Sequence, residues 1–250
     1  MNATEKEIRK AACRSEMYKL LAKSFMYPSQ KIFDFLSRSL SEDSLSKYLE
    51  RCAGSFSACE VIVGAQNAFN RLPNRVALEE EYNRLFAHIG STKCPPYETE
   101  YGFDNVFQKT EAMADIAGFY RAYELEIADT NTERADFLGT ELEFMSYLTA
   151  SEAYARQQIR QEHLEVCIDT QQKFVRDHLG RWTTIFAKIL ANSTQNEFYF
   201  QLKNLLEQFL ESEIVYLNVA PLKVAAPNKE LDQKPEEFSC ASCVAVPDRT

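Results

Sequence analysis

The side chains richest in chemistry crowd into one short stretch. Cys94-Pro95-Pro96-Tyr97-Glu98-Thr99-Glu100-Tyr101 sets two carboxylates among two phenols. They follow two prolines, which remove backbone donors and push Cys94 out of the helical region. Connecting segments ordinarily use small polar residues, so a loop with this much aromatic and acidic bulk is a candidate binding segment. Glu98 and Glu100 could exchange protons, but no nucleophile stands in a pattern that completes such a site, and no catalytic residue is assigned.

Weaker candidates lie elsewhere. Cys94-Pro95 could offer a thiolate to haem iron, or could simply end a helix before a rigid loop. Cys240-Ala-Ser-Cys243 has the spacing of half a zinc site or of a redox pair, yet a tetrahedral site takes four ligands and no second pair is near. Two thiols of a flexible tail, a zinc-bridged dimer and a regulatory disulfide remain its readings. None of His88, His163 and His178 has a glutamate three residues earlier, as a di-iron helical bundle would require, so they read as surface or helix-end residues and no metal site is assigned. There is no glycine-rich phosphate loop and no nucleophile elbow. No cofactor follows from these residues.

These side chains must be positioned by helices. Seven glycines and eight prolines in 250 residues are few, and the plentiful Leu, Ala, Glu, Lys and Gln favour long helices. Thr4 and Glu7 have capping-box spacing ahead of Ile8, Ala11, Ala12, Tyr18, Leu21, Ala22 and Phe25, and Pro28 closes that helix. Shorter helical patterns run from Lys31 to Ser39, Ser44 to Cys52 and Glu60 to Leu72. Leu78, Tyr82, Leu85, Phe86 and Ile89 make the helix that leads into the loop, ended by Gly90. Another fits Asn105 to Leu125.

Thr130 and Glu133 form a second capping box before Arg134 to Gln158, whose apolar face carries Phe137, Leu138, Leu142, Phe144, Met145 and Leu148. Glu133, Asp136, Thr140, Glu143 and Tyr147 form the opposite polar stripe. Glu141 falls inside the apolar face, so it must be paired or protonated, and an arginine or a set of amide donors is expected beside it. The helix Gln161 to Lys173 continues through Trp182 to Phe186, with a break at Gly180. Thr194 and Glu197 make a third capping box, opening a helix that ends before Pro221. The reading is all-α: a single-domain multi-helix bundle over residues 1–219 and a flexible tail over 220–250, which holds four of the eight prolines.

A net charge of -9 argues against a nucleic-acid or anionic-membrane partner and favours a basic one. The amino terminus has no basic region followed by an apolar run, and no stretch approaches a membrane span, so a cytoplasmic protein is expected. Seven cysteines, five of them scattered singly, read as reduced thiols.

Three blocks then combine. Glu81-Tyr82-x-x-Leu85-Phe86 runs into Pro95-Pro96-Tyr97-Glu98-x-x-Tyr101. Glu133-x-x-Asp136-Phe137-Leu138-x-x-Glu141-Leu142-x-Phe144-Met145 and Phe174-x-x-x-His178-Leu179-x-x-Trp182-x-x-x-Phe186 follow in order. This resembles the TorD/DmsD/NarJ family of redox-enzyme maturation proteins. The resemblance implies a cytoplasmic, non-enzymatic chaperone, without a cofactor of its own. It would bind the twin-arginine signal peptide and the body of a molybdopterin oxidoreductase subunit and hold it until its cofactor is inserted. By position, Pro95, Pro96, Tyr97, Glu98 and Tyr101, with Glu133, Asp136 and Phe137, would line the peptide groove, and only the loop half of the first block would face the ligand. The family's usual Asp-His is Asp136-Phe137 here, which speaks against the nucleotide binding suggested for relatives. A haem- or metal-binding redox sensor using Cys94 or Cys240/Cys243 is the alternative. Monomer and domain-swapped dimer both stay open.

Overall fold

A computed structural model describes residues 3–39, 47, 48, 52, 70–86, 94–103, 105–127, 133–222 and 224. The expected helices at 44–52 and 60–72, His88, Gly90, Thr130 and the Cys240/Cys243 motif lie mostly or wholly outside them. Among the described residues the architecture is all-α: α1 (Ala3–Phe25), α2 (Gln30–Ser39), α3 (Arg75–Phe86), α4 (Val106–Ala122), α5 (Leu138–Gln157), α6 (Gln161–Phe174), α7 (Gly180–Ser193) and α8 (Glu197–Leu217). None of these helices is long and apolar enough to cross a membrane.

The centre of the bundle is the pair α1 and α5. Their contacts run in opposite senses: Arg14 meets Glu152, Ser15 meets Ser146 and Lys23 meets Glu143, so the helices are antiparallel. Small residues let them approach closely. Ser15 Oγ donates to the Ser146 carbonyl at 2.8 Å and Ser146 Oγ returns the bond to the Ser15 carbonyl at 2.9 Å. Around this pair the aromatic residues interlock, with Tyr18 edge-on to Phe209 at 4.7 Å and Phe86 between Phe186 and Tyr199.

One charged side chain is fully inside. Arg14, 0 % exposed, donates to Glu213 at 2.7 Å, to Glu152 at 2.8 Å and to Gln171 at 2.6 Å. Burial alone would lower its pKa, but the adjacent Glu213 and Glu152 hold it raised. The cluster ties α1, α5, α6 and α8 through bonds that would cost several kcal/mol to leave half-made.

Several expected boundaries shift. α1 already includes Thr4, so that residue is not its cap. The third capping box also moves: Asn196, not Thr194, caps α8 by accepting from Phe198 N, while the Thr194 hydroxyl donates to Glu81 at 2.6 Å. Gly180 does not break the chain. The π-helical turn Val175–Leu179 carries α6 directly into α7, and Gly180 is needed because a Cβ there would lie 2.5 Å from the Val175 carbonyl and 2.8 Å from Pro221.

The body also continues past residue 219. Leu222 N donates to the Arg176 carbonyl at 3.2 Å, and Val224 packs on Gly102, whose φ of +74° suits glycine. The expected reduced state of the thiols meets a contrary feature: Cys13 and Cys52 form a disulfide with Cα atoms 5.9 Å apart, while Cys94 and Cys167 are unbridged and buried.

Candidate functional site

The segment before α5 is not helical. Sequence periodicity extended that helix back through Asp136, but residues 134–137 make a turn, closed by Phe137 N donating to the Arg134 carbonyl at 3.2 Å, and Phe137 itself lies extended against the loop. Tyr97 and Phe137 form an antiparallel bridge, in which Leu138 N donates to the Pro96 carbonyl and Glu98 N to the Asp136 carbonyl, each at 2.9 Å. The cause is local. The two prolines cannot donate, so the amides that follow them take acceptors from the strand-like neighbour rather than closing a helix.

Side chains complete this latch. The Asp136 carboxylate accepts from Thr99 N at 3.0 Å, Thr99 Oγ1 at 2.8 Å, and Arg134 Nε at 2.9 Å. Arg134 also reaches Glu100, which Lys109 holds from α4, and its guanidinium stacks 4.6 Å from the Tyr97 ring centre. Tyr97 donates its hydroxyl to Glu133 at 2.8 Å, and Tyr101 donates to the Pro95 carbonyl at 2.7 Å while its ring leans on Trp182.

The loop and the Asp136 segment are therefore one unit, but the loop does not face outward. Glu98, Tyr101 and Asp136 are 0 % exposed, and Pro96, Tyr97 and Phe137 are buried; Pro95, Glu100, Glu133 and Arg134 reach partway to the surface. This corrects the expectation that the loop presents carboxylates and aromatics directly to a ligand. Their bulk is core-seeking, and the Asp136 charge is already spent on Arg134 and Thr99.

Behind the latch lies a buried acid pair. Glu141 is 0 % exposed, as its place on an apolar face demands, yet no arginine meets it. Trp182 Nε1 donates to its Oε2 at 3.2 Å, and Oε1 has no donor among the described residues. Burial, then the charges of Glu98 and Asp136, push its pKa well above the ordinary value. Burial among apolar side chains beside other carboxyls thus favours the neutral, protonated form of Glu141.

Glu98 is the hub. His178 Nδ1 lies 3.2 Å from it and Arg181 Nη1 3.4 Å, while His178 Nε2 lies 3.2 Å from Asp115 on α4. His178 was expected at the surface or a helix end, but it is 3 % exposed between Phe119 and Phe174. The π-turn brings it inward, and an apolar period read at ordinary helical pitch misses that rotation. Sequence could have flagged it: Phe174 and His178 share one face of a helix whose neighbours are aromatic.

Outside this network the surface opens into a cleft of about 790 Å³ between α4 and the π-turn, walled by Phe103, Glu111, Asp115, Asp177, Arg181 and Leu222. No group of three or more His, Cys, Asp or Glu suited to a metal ion occurs among the described residues. Cys94 is 0 % exposed with Sγ 3.8 Å from the Phe186 carbonyl, so it presents no thiolate to a haem. His163 is exposed on α6.

Two distant sequence blocks of the helical bundle thus close one latch beside an acidic cleft. The nitrate reductase delta subunit family matches residues 38–188, a span that holds the whole latch and the buried acid pair. The chain belongs to this family, in agreement with its resemblance to the redox-enzyme maturation proteins. It is similar to the perchlorate reductase assembly chaperone protein of Dechloromonas aromatica (strain RCB), 25 % identical over 218 residues, 85 % of this chain and 93 % of that one. Among solved structures it is similar to a candidate redox enzyme maturation protein from Archaeoglobus fulgidus, with 24 % identity, 79 % of this chain and 93 % of that one covered, and a TM-score of 0.45.

Proposed function

We propose that this protein is a cytoplasmic assembly chaperone that binds the twin-arginine leader of a molybdopterin-containing oxidoreductase subunit and holds that subunit until its cofactor is in place. The observation that carries the reading is the latch. The two blocks that resemblance marks for peptide handling, 95–101 and 133–137, are locked together by paired backbone bonds and by the Asp136 carboxylate. The similarity to an assembly chaperone along most of both chains supports it.

In this reading Pro95, Pro96, Tyr97, Glu98, Tyr101, Glu133, Asp136 and Phe137 shape and stiffen the surface that meets the client, rather than contacting it through their buried charges. The client leader is basic and then apolar, and the bundle offers acidic and aromatic surface to it. The chain performs no chemistry of its own; it lowers the chance that an empty subunit is exported.

The test is made in cells. Deleting the chaperone should leave the client subunit synthesised but low in molybdopterin, and the full chain supplied in trans should restore the cofactor. A client with normal cofactor content in the deletion strain would refute the assignment.

A further inference from the structure

We propose that the cleft between α4 and the π-turn is the docking site for the arginine-bearing part of a client leader, with Glu111 and Asp115 accepting its guanidinium groups. This rests on the leader-binding reading above and adds the place and the side chains.

The cleft is built from one face of α4. Gln108, Glu111, Ala112 and Asp115 line it at helical spacing, opposite Asp177, His178 and Arg181. Its charges are unbalanced toward acid. Arg181, the arginine among the lining residues, is already engaged: its guanidinium sits 4.7 Å from the Phe103 ring centre and 3.4 Å from Glu98. Asp177 is held by Arg176. Asp115 differs, being 65 % exposed while anchored through Oδ2 to His178. That bond fixes the carboxylate's direction and leaves most of it facing solvent.

Apolar surface continues from the acidic wall. Phe107 is 88 % exposed and lies one turn before Glu111 on the same side of α4, Val106 is 76 % exposed beside it, and Leu222 across the cleft is 57 % exposed. Phe107 and Val106 adjoin in sequence, so α4 begins with apolar side chains open to a ligand's apolar segment. A volume of about 790 Å³ accommodates a few residues of a peptide. A segment with arginines followed by apolar residues matches the order carboxylates, then Phe107; an anionic ligand would meet repulsion.

The experiment titrates a synthetic leader peptide, with an Arg-Arg pair before an apolar run, into the full chain by calorimetry. The wild type is compared with Glu111→Gln, the double variant Glu111→Gln/Asp115→Asn, and Phe107→Ser. Circular dichroism checks the fold, and the Glu111 variant leaves the His178 contact untouched. The double variant should bind at least about tenfold more weakly, the size of one lost charge-assisted hydrogen bond. A Lys-Lys peptide should bind the wild type more weakly but differ little from Arg-Arg on the double variant. Wild-type affinity in all three variants would overturn the cleft and leave the leader reading standing. No binding to the wild type would overturn both. A change in oligomeric state with unchanged peptide affinity would reassign the cleft to contact between copies.

Discussion

Replacing Glu141 by glutamine removes a titratable proton while keeping the hydrogen bond from Trp182. The amide oxygen can accept from Trp182 Nε1, as the carboxyl Oε2 does. The folded pKa of Glu141 is raised, by burial first and then by Glu98 and Asp136, above an unfolded value of 4.5. The folded state therefore binds the proton more tightly than the unfolded chain. Its stabilising effect is fully present below pH 4.5 and is lost as the pH rises toward the folded pKa. Across that window the wild type should lose about 1.4 kcal/mol per pH unit relative to Glu141→Gln. Urea unfolding of both proteins at half-unit steps from pH 4 to 8 measures the difference directly. The two stabilities should converge at the acid end and diverge above it, with the variant the more stable at neutral pH. Parallel curves would show that Glu141 is not protonated in the fold and would undo the account of the acid pair.

Other outcomes follow from the same contacts. Asp136→Ala leaves Thr99 N and Arg134 without their acceptor, and should cost about 3 kcal/mol in chemical unfolding, near the low end for a broken buried pair because Arg134 is partly exposed. Arg14→Met strands Glu152 and Glu213 inside the bundle, and should cost about 3–5 kcal/mol in the same assay. The Cys13–Cys52 bridge spans 39 positions, so its reduction or Cys13→Ser should remove roughly 4 kcal/mol of chain-entropy stabilisation. A melting temperature insensitive to reductant in the wild type would contradict that bridge, and alkylation followed by mass measurement would count the thiols directly.

The sequence carries the helices well because their apolar faces repeat over many turns. Tyr82, Leu85 and Phe86 are core as their spacing implies, and Glu141 is buried where an acid in an apolar stripe had to be. Legibility fails where the period fails. Asp136 and Phe137 look like a first helical turn, but Asp136 sits in a turn and backbone pairing with the proline loop holds Phe137 extended, a contact between residues far apart in sequence. His178 sits in a π-turn that the ordinary helical period does not describe, although its place four residues after the buried Phe174 points to the same face. Arg14 shows the same limit: on α1 it reads as one more charge, and only the convergence of Glu152, Gln171 and Glu213 from three other helices makes it a buried hub.

The site illustrates the difference between marking residues and assigning their roles. Tyr97, Glu98 and Tyr101 were expected to face the ligand, yet their side chains are consumed in the latch. The open cleft lies instead between α4 and the π-turn, next door in space, where the leader's arginines are proposed to dock.

The central claim is recognition of a client through its leader. It is tested most directly by titrating the purified full chain with the client's catalytic subunit, prepared with and without its leader. The account predicts a complex with a Kd of about 1 μM or tighter for the leader-bearing subunit, weakened as salt rises, and much weaker binding once the leader is removed. Equal affinity for both forms, or no complex with either, would contradict it.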